Sequence, residues 1–207
     1  MNIVMKNLNK NGYLLKKEKK SKLIIISGPS GVGKSTICKE IIKKYKNIFF
    51  SISVTTRSPR SGEIDGISYF FKTEKEFIEL INKDELLEWA KYGENYYGTP
   101  KKVVEDLLKN GKNVLLEIET QGALNIKKKF PQGVFIFIVP TSLKDLQDRL
   151  IKRSTEDLQD IEKRILISKG EMKLKNEYKY LVISENDKIE GTLEKIGQIF
   201  KVENISE

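Results

Sequence analysis

Residues 22–36 restrict the fold of this chain more than any other stretch. They begin with an apolar run that contains Ile24, Ile25 and Ile26, and β-branched residues of this kind favour a buried strand. A glycine-rich turn with the spacing Gly-x-x-x-x-Gly-Lys-Ser follows, and the pattern after the turn is helical. A strand, this turn and a helix in this order predict a phosphate-binding P-loop.

Each residue type in the turn has a physical reason. Glycines let the backbone curl so that successive N–H groups point at one anion, and the helix that starts near Gly33 adds its positive end. Lys34 supplies a charge for the outer phosphates, and the Ser35 hydroxyl is a hard oxygen ligand that suits Mg²⁺. We therefore predict a nucleoside triphosphate site with Mg²⁺ as its cofactor. The residues predicted to bind the triphosphate are Gly28, Pro29, Ser30, Gly31, Val32, Gly33, Lys34, Ser35 and Thr36.

Composition excludes several kinds of chemistry. The chain has 207 residues, which suits one domain, and no histidine, which excludes histidine bases and histidine-ligated zinc. Phosphoryl transfer needs neither, because it depends mainly on positioning and charge. The single cysteine, Cys38, excludes an internal disulfide and fits a reducing compartment. No apolar run is long enough to span a bilayer. We expect a cytoplasmic chain without a membrane partner.

The net charge of +9 has two interpretations, a nucleic-acid partner or a general lysine bias. Lysine bias is favoured, because only five of the 38 basic residues are arginine and no base-recognition motif accompanies the charge. We therefore expect no nucleic-acid partner. The arginines fall into two groups, in which a rigid guanidinium would suit phosphate better than a structural ion pair. They are Arg57 and Arg60, then Arg149, Arg153 and Arg164.

Strand and helix patterns alternate along most of the chain and predict an α/β fold with a mostly parallel sheet flanked by helices. Core strands are expected near 22–27, 50–55, 113–119, 133–139 and 180–184. Residues 53–100 interrupt the alternation and predict a small β-rich insert, in which 95–100 has the composition of a turn. Residues 1–21 are rich in Lys and Asn and predict a flexible basic tail.

Several motifs in order make the chain similar to the guanylate kinases over about residues 22–202. The motifs are Ser27 to Ser35, Ser53 to Glu63, Tyr69-Phe70-Phe71, Glu88-Trp89-Ala90, Asn95 to Thr99, Leu116 to Ala123, and the pair Arg149 and Arg153. This resemblance implies an ATP:GMP phosphotransferase, with a P-loop kinase CORE, a GMP-binding insert and a helical LID. The implied boundaries are CORE 22–52, 101–140 and 171–202, insert 53–100 and LID 141–170.

The resemblance also implies roles for individual residues. The GMP phosphate would be bound by Arg57, Arg60, Tyr69 and Tyr97, and the guanine by Ser53, Glu88, Thr99 and Glu119. The catalytic set would be Lys34, Arg57, Arg149, Arg153 and Arg164. Ser35 would bind Mg²⁺, with Glu117 or Glu119 contacting the metal through water. Hydrogen-bond chemistry supports Glu88, because guanine presents donors at N1 and N2 that one carboxylate can accept.

Other hypotheses remain at this stage. A non-catalytic guanylate-kinase-like interaction module would share the fold. A nucleic-acid-binding ATPase rests on the charge alone, and a kinase for AMP, UMP or dTMP would share the P-loop. We expect GMP and dGMP to be accepted, and the chain to be a monomer or a homodimer.

Overall fold

The computed structural model describes residues 21–153, 158–184 and 189–205. The side chains of residues 150, 152–153 and 158–163 also lie outside the description. The predicted basic tail, apart from Ser21, therefore falls outside the described residues.

The described strands and helices alternate as expected. The strands are β1 (Leu23–Ser27), β2 (Ile48–Phe50), β3 (Val54–Thr55), β4 (Phe70–Phe71), β5 (Leu86–Tyr92), β6 (Asn95–Pro100), β7 (Asn113–Glu117), β8 (Val134–Pro140) and β9 (Tyr180–Ser184). The helices are α1 (Lys34–Lys44), α2 (Glu74–Asn82), α3 (Lys101–Lys109), α4 (Thr120–Lys129), α5 (Leu143–Arg153), α6 (Leu158–Met172) and α7 (Ile189–Val202).

The central sheet has the order β2-β7-β1-β8-β9, and its neighbouring strands pair in parallel. Strand β1 lies in the middle, and its isoleucines point alternately to the two faces. Ile24 and Ile26 pack with residues of α1 and α7, whereas Ile25 packs with residues of α3 and α4. A sheet covered on both faces explains why β1 and β8 are almost continuously apolar. The predicted fold class is confirmed.

A second sheet, with the order β4-β3-β6-β5, follows the first in the chain. Helix α2 covers it, and Phe77 of that helix is fully buried. Thr73 caps α2 with its side chain and forms a capping box with Glu76, as its position before the helix predicts.

Two local predictions are wrong. The strand expected at 50–55 is divided, because β2 ends at Phe50 in the central sheet and β3 begins at Val54 in the second sheet. The turn expected at 95–100 is strand β6, which pairs antiparallel with both β3 and β5. Gly98 gives this segment the composition of a turn, but the strand needs glycine there, because a Cβ would lie 2.9 Å from Cδ1 of Leu86.

The parallel strands end at one edge of the central sheet, where ligands bind in open α/β sheets. The loop after β1 and the carboxylates at the end of β7 lie at this edge. None of the described helices is long and apolar enough to cross a membrane.

Candidate active site

The loop between β1 and α1 has the backbone that the P-loop spacing predicts. Gly28 has φ 144°, and a Cβ there would lie 2.5 Å from the carbonyl oxygen of Ile138 in β8. Gly33 precedes α1 in a left-handed conformation with φ 102°. Both positions favour glycine, and the curled backbone ends at the positive terminus of α1, where anions are stabilised.

Lys34 is buried and bound to its own loop. Its Nζ donates to the carbonyl oxygen of Gly28 at 2.6 Å and lies 3.5 Å from Oε2 of Glu119. Burial lowers the pKa of Lys34, but Glu119, Glu171 and Glu117 outweigh that effect, so its pKa is raised. The lysine is therefore charged at neutral pH, and a phosphate that binds it must replace these loop contacts.

Ser35 and Glu117 bring two oxygen ligands together beside the loop. The Ser35 hydroxyl donates to Oε1 of Glu117 at 2.6 Å. Burial raises the pKa of Glu117, and Lys34 and Ser35 oppose that rise. Among the described residues, no three acidic, cysteine or histidine side chains form a metal cluster. The pair nevertheless fits Mg²⁺, which prefers hard oxygens and binds through one or two protein groups with water and phosphate.

Helix α6 contacts the P-loop through two side chains on one face. Arg164 donates from Nη2 to the Ser30 hydroxyl at 3.1 Å. Glu171, two turns later, accepts from the Ser30 N–H at 3.3 Å and from the Thr120 hydroxyl at 3.1 Å. Burial, followed by the charge of Glu119, raises the pKa of Glu171 to about 7. No sequence motif contains Glu171, and its seven-residue spacing from Arg164 is the only signal of it in the sequence.

Arg149 of α5 also reaches the loop. Its Nη1 donates to the carbonyl oxygen of Val32 at 2.9 Å. Arg149 and Arg164 thus approach the P-loop from two different helices, as arginines that stabilise phosphate charge would. The side chain of Arg153 lies outside the described residues.

The second sheet contributes a guanidinium with a defined orientation. Arg57 donates from Nη2 to both carboxylate oxygens of Glu63, at 2.8 and 2.9 Å, and lies over the rings of Tyr69 and Phe71. Burial lowers the pKa of Arg57, but the hydrogen bonds with Glu63 and the electrostatic interactions with Tyr97, Glu63 and Tyr69 together outweigh burial, so the pKa is raised. Glu63 also accepts from the backbone N–H of Arg60 at 2.7 Å, so one carboxylate orients the Arg57 guanidinium and fixes the backbone at Arg60.

Glu88 is, together with Thr99, one of two deeply buried residues in the predicted base-binding set. Only 4% of its surface is exposed, and its Oε1 accepts a hydrogen bond of 2.7 Å from the Thr99 hydroxyl on the paired strand. Burial raises the pKa of Glu88 to about 7, although Thr99 and Lys129 oppose the rise. Thr99 therefore lies behind the carboxylate and orients it.

Two connected spaces separate the P-loop from the second sheet. The larger is an open cleft of about 500 Å³, and the smaller is a cavity of about 30 Å³ beside Glu88. The cleft is lined by the predicted residues Ser30, Gly31, Gly33, Lys34, Ser35, Arg57, Arg60, Tyr69, Tyr97, Glu117, Glu119 and Arg164. Ser53 and Glu88 line the small cavity, which Tyr69, Tyr97, Glu117 and Glu119 share with the cleft.

The other predicted residues lie outside the lining of these spaces. Gly28, Pro29 and Val32 are buried in the turn itself. Thr36 is exposed on α1, and Thr99 is buried behind Glu88. The structure therefore brings most predicted residues to one cleft, with phosphate-binding chemistry on one wall and a buried carboxylate at the end of the other.

The chain is similar in sequence and in structure to known proteins. Residues 20–203 match the family model described as guanylate kinase. The chain is 50% identical to the guanylate kinase of Caldanaerobacter subterraneus over 186 residues, an alignment that covers 90% of this chain and 89% of the relative. It is 46% identical to the guanylate kinase of Halalkalibacterium halodurans over 187 residues, an alignment that covers 90% of this chain and 91% of that relative. The crystal structure of guanylate kinase from Anaplasma phagocytophilum superposes with a TM-score of 0.73 at 30% identity, covering 91% of this chain and 88% of the other.

Proposed function

The chain belongs to the guanylate kinase family and is an ATP:GMP phosphotransferase, and we propose that ATP and GMP bind on opposite walls of the one cleft. In this proposal, the P-loop wall binds the donor and the wall formed by the second sheet binds the acceptor. The observation that carries the assignment is the carboxylate of Glu88, buried and oriented by Thr99 at the end of the acceptor wall.

The donor phosphates would be bound by backbone N–H groups of the loop and by the positive end of α1. Lys34 would exchange its contacts with Gly28 and Glu119 for contacts with phosphate oxygens. This exchange leaves Glu119 without its cation partner and free to accept a hydrogen bond from the base or from a metal-bound water.

Mg²⁺ fits the proposed donor site through Ser35, with Glu117 holding a metal-bound water. When bound, the ion neutralises charge on the transferred phosphoryl group. Ser35 would turn its hydroxyl oxygen from Glu117 to the ion. Because Ser35 then no longer donates to it, Glu117 would be free to accept from a water.

The acceptor phosphate would be bound by Arg57, whose guanidinium Glu63 orients, by Arg60, whose backbone Glu63 holds, and by the phenol hydroxyls of Tyr69 and Tyr97. Guanidinium groups bind phosphate oxygens in a fixed geometry. The two tyrosine rings lie 6.2 Å apart, centre to centre, and both line the cleft. Four donors on one wall would suit a dianionic monophosphate and hold its oxygens for in-line attack.

Guanine would be recognised by Glu88, with Ser53 and Glu119 beside it in the small cavity. One carboxylate can accept from both N1–H and N2–H of guanine, and adenine offers no such donor pair. A buried carboxylate left unpaired is costly, which is the physical basis for rejecting the wrong base. The cavity of about 30 Å³ holds little more than water, so the base would extend from it into the adjoining cleft.

Transfer requires the developing charge to be neutralised and water to be excluded. Arg149 and Arg164 already contact the P-loop, and we propose that they neutralise the transferred phosphoryl group, together with Arg153. We also propose that the enzyme accepts dGMP, acts in the cytoplasm and works as a monomer or homodimer.

The test measures ADP formation from ATP and Mg²⁺ with GMP, dGMP, AMP, UMP or dTMP as the acceptor. We expect turnover with GMP and dGMP only. Lys34→Ala should abolish it, whereas Lys39→Ala, at an exposed position of the same helix, should not. Turnover with another monophosphate would overturn the assignment of Glu88, and no turnover with any acceptor would favour a non-catalytic interaction module.

A further inference from the structure

Helix α4 begins against the carboxylate of Glu88 and leaves room for it at one residue. A Cβ built on Gly122 would overlap Oε2 of Glu88 and would lie 2.7 Å from Cγ2 of Ile118. Real side chains do not approach so closely, so a larger residue at 122 would force Glu88 to move. The backbone of Gly122 is ordinary helix without a positive φ, so glycine is needed here for space and not for conformation.

Glycine at this position is otherwise unfavourable. It weakens a helix relative to alanine, and α4 would gain stability from any ordinary residue that fitted. The neighbouring Ala123 is also fully buried and carries a Cβ without difficulty. The requirement for glycine therefore comes from the carboxylate that packs against residue 122.

The last residue of α4 contacts the same strand. Lys129 Nζ donates to the carbonyl oxygen of Leu87 at 2.6 Å, one residue before Glu88 in β5. Asn125 lies between, with its Nδ2 3.5 Å from the carbonyl oxygen of Trp89. Positions 122, 125 and 129 follow the helical spacing of three and four residues. One stripe of α4 thus contacts β5 on both sides of the base-binding carboxylate.

We propose that Gly122 and Lys129 are positioning residues that determine guanine selectivity, Gly122 by leaving space for the Glu88 carboxylate and Lys129 by fixing the strand that carries it. This inference rests on the proposed recognition of guanine by Glu88. A carboxylate that accepts two parallel hydrogen bonds tolerates only about 0.5 Å of displacement. Displacing it should weaken GMP binding and leave the ATP site, which lies on the other wall, unaffected.

The first experiment uses Gly122→Ala with a compensating change. The added methyl should raise KM for GMP at least tenfold and leave KM for ATP unchanged. Glu88→Asp alone should also raise KM for GMP, because the shorter side chain cannot reach the base as well. In the double variant Gly122→Ala/Glu88→Asp, the shorter carboxylate makes room for the methyl. The increase in KM for GMP should therefore be smaller than the product of the increases in the two single variants.

The role of Gly122 would be overturned if the increases in KM for GMP of the two single variants multiply in the double variant. It would also be overturned if Gly122→Ala raises KM for GMP and KM for ATP equally. Melting temperatures of all variants are measured alongside, because the methyl also meets Ile118. If Gly122→Ala does not fold, Gly122→Ala/Ile118→Ala removes that second contact and gives the same comparison. Failure of the compensated variant to bind ATP would count against the proposal, since it would show a general structural role.

The second experiment tests Lys129 with the adjacent lysine as its control. Lys129→Met removes the contact with Leu87 and the positive charge that acts on Glu88. Lys128→Met removes one positive charge from the same groove and leaves the contact with Leu87 in place. The other ionisable groups that line the two spaces beside Glu88 are Tyr69, Lys91, Tyr97, Glu117, Glu119 and Lys128. We expect Lys129→Met to move the acid limb of kcat/KM for GMP to higher pH and to raise KM for GMP several-fold. The role of Lys129 would be overturned if Lys129→Met leaves the acid limb of kcat/KM for GMP unshifted, or if Lys128→Met shifts that limb equally.

A further variant separates this inference from the proposed function. Glu88→Gln keeps the size of the side chain but replaces a carboxylate oxygen with an amide. If it leaves KM for GMP unchanged, the recognition of guanine by Glu88 is wrong and the inference falls with it. If it raises KM for GMP while Gly122→Ala and Lys129→Met do not, only the role of α4 is wrong.

Discussion

The Thr99 hydroxyl donates a hydrogen bond of 2.7 Å to Oε1 of Glu88, across two paired strands of the second sheet. This bond supplies one neutral donor to a carboxylate that is otherwise enclosed. Burial therefore still raises the pKa of Glu88 from 4.5 to about 7. The protein keeps a carboxylate where an ionised group is costly, which is expected of a group retained for recognition.

The first prediction concerns stability. Because the folded-state pKa of Glu88 is raised, its contribution to stability is fully present below pH 4.5 and is lost as the pH rises to about 7. Glu88→Gln keeps an acceptor for Thr99 without the charge. We expect it to raise the free energy of unfolding at pH 8 by about 1–2 kcal/mol, measured by urea denaturation, and the gain to shrink towards pH 5. A loss of stability at pH 8 would contradict this interpretation.

The second prediction concerns the pH dependence of GMP binding. In the proposed recognition, guanine needs the ionised carboxylate of Glu88, which the free protein carries fully only above about pH 7. We expect GMP binding near pH 7 to release a proton, seen by calorimetry in buffers of different ionisation enthalpy. Because the GMP phosphate also titrates, Glu88→Gln is the control and should release less. Equal proton release by both proteins would show that Glu88 does not titrate with binding.

The third prediction concerns Glu171. Its carboxylate accepts hydrogen bonds from the Ser30 N–H and the Thr120 hydroxyl and so connects α6 to the P-loop. Bonds to a charged acceptor contribute about 1.5–3 kcal/mol each. We expect Glu171→Ala to raise KM for ATP about tenfold and leave KM for GMP unchanged, by steady-state kinetics. Glu177→Ala, on the exposed turn after α6, is the control. A rise in KM for GMP alone would contradict the prediction.

The fourth prediction uses two adjacent tyrosines of β6. Tyr97 lines the cleft, whereas the ring of Tyr96 stacks on Phe77 under the second sheet. Tyr97→Phe removes only a hydroxyl, and a hydrogen bond to phosphate contributes about 1.5–3 kcal/mol. We expect KM for GMP to rise about tenfold in Tyr97→Phe and to stay unchanged in Tyr96→Phe. Similar kinetics for the two variants would show that the Tyr97 hydroxyl does not bind the phosphate.

The sequence predicts four of the five described strands of the central sheet well, because β1, β7, β8 and β9 are apolar runs and the P-loop marks the end of β1; the exception is β2. The second sheet is less predictable. Strand β6 has the composition of a turn, and only tertiary pairing with β3 and β5 makes it extended. Local propensity cannot indicate such a strand, because its stability comes from cross-strand contacts such as that between Trp89 and Tyr96.

The residues of the candidate site are also predictable only in part from the sequence. Lys34 and Arg57 were found by motif and both line the cleft. Glu171 and Lys129 have no motif, since each acts through a contact between elements distant in sequence. The role of Thr99 in binding the base stays a prediction, and the hydrogen bond that it donates to Glu88 depends on strand register, which the sequence alone did not provide.

The most direct test of guanine recognition by Glu88 is the ratio of kcat/KM for GMP to kcat/KM for AMP, measured at pH 8 in the unmodified enzyme and in Glu88→Gln. We predict a ratio of at least about 10⁴ in the unmodified enzyme, since a site built on hydrogen bonds rejects the analogue that lacks them. Glu88→Gln should reduce the ratio at least a hundredfold while leaving KM for ATP unchanged. A ratio that Glu88→Gln does not change would show that guanine is recognised elsewhere.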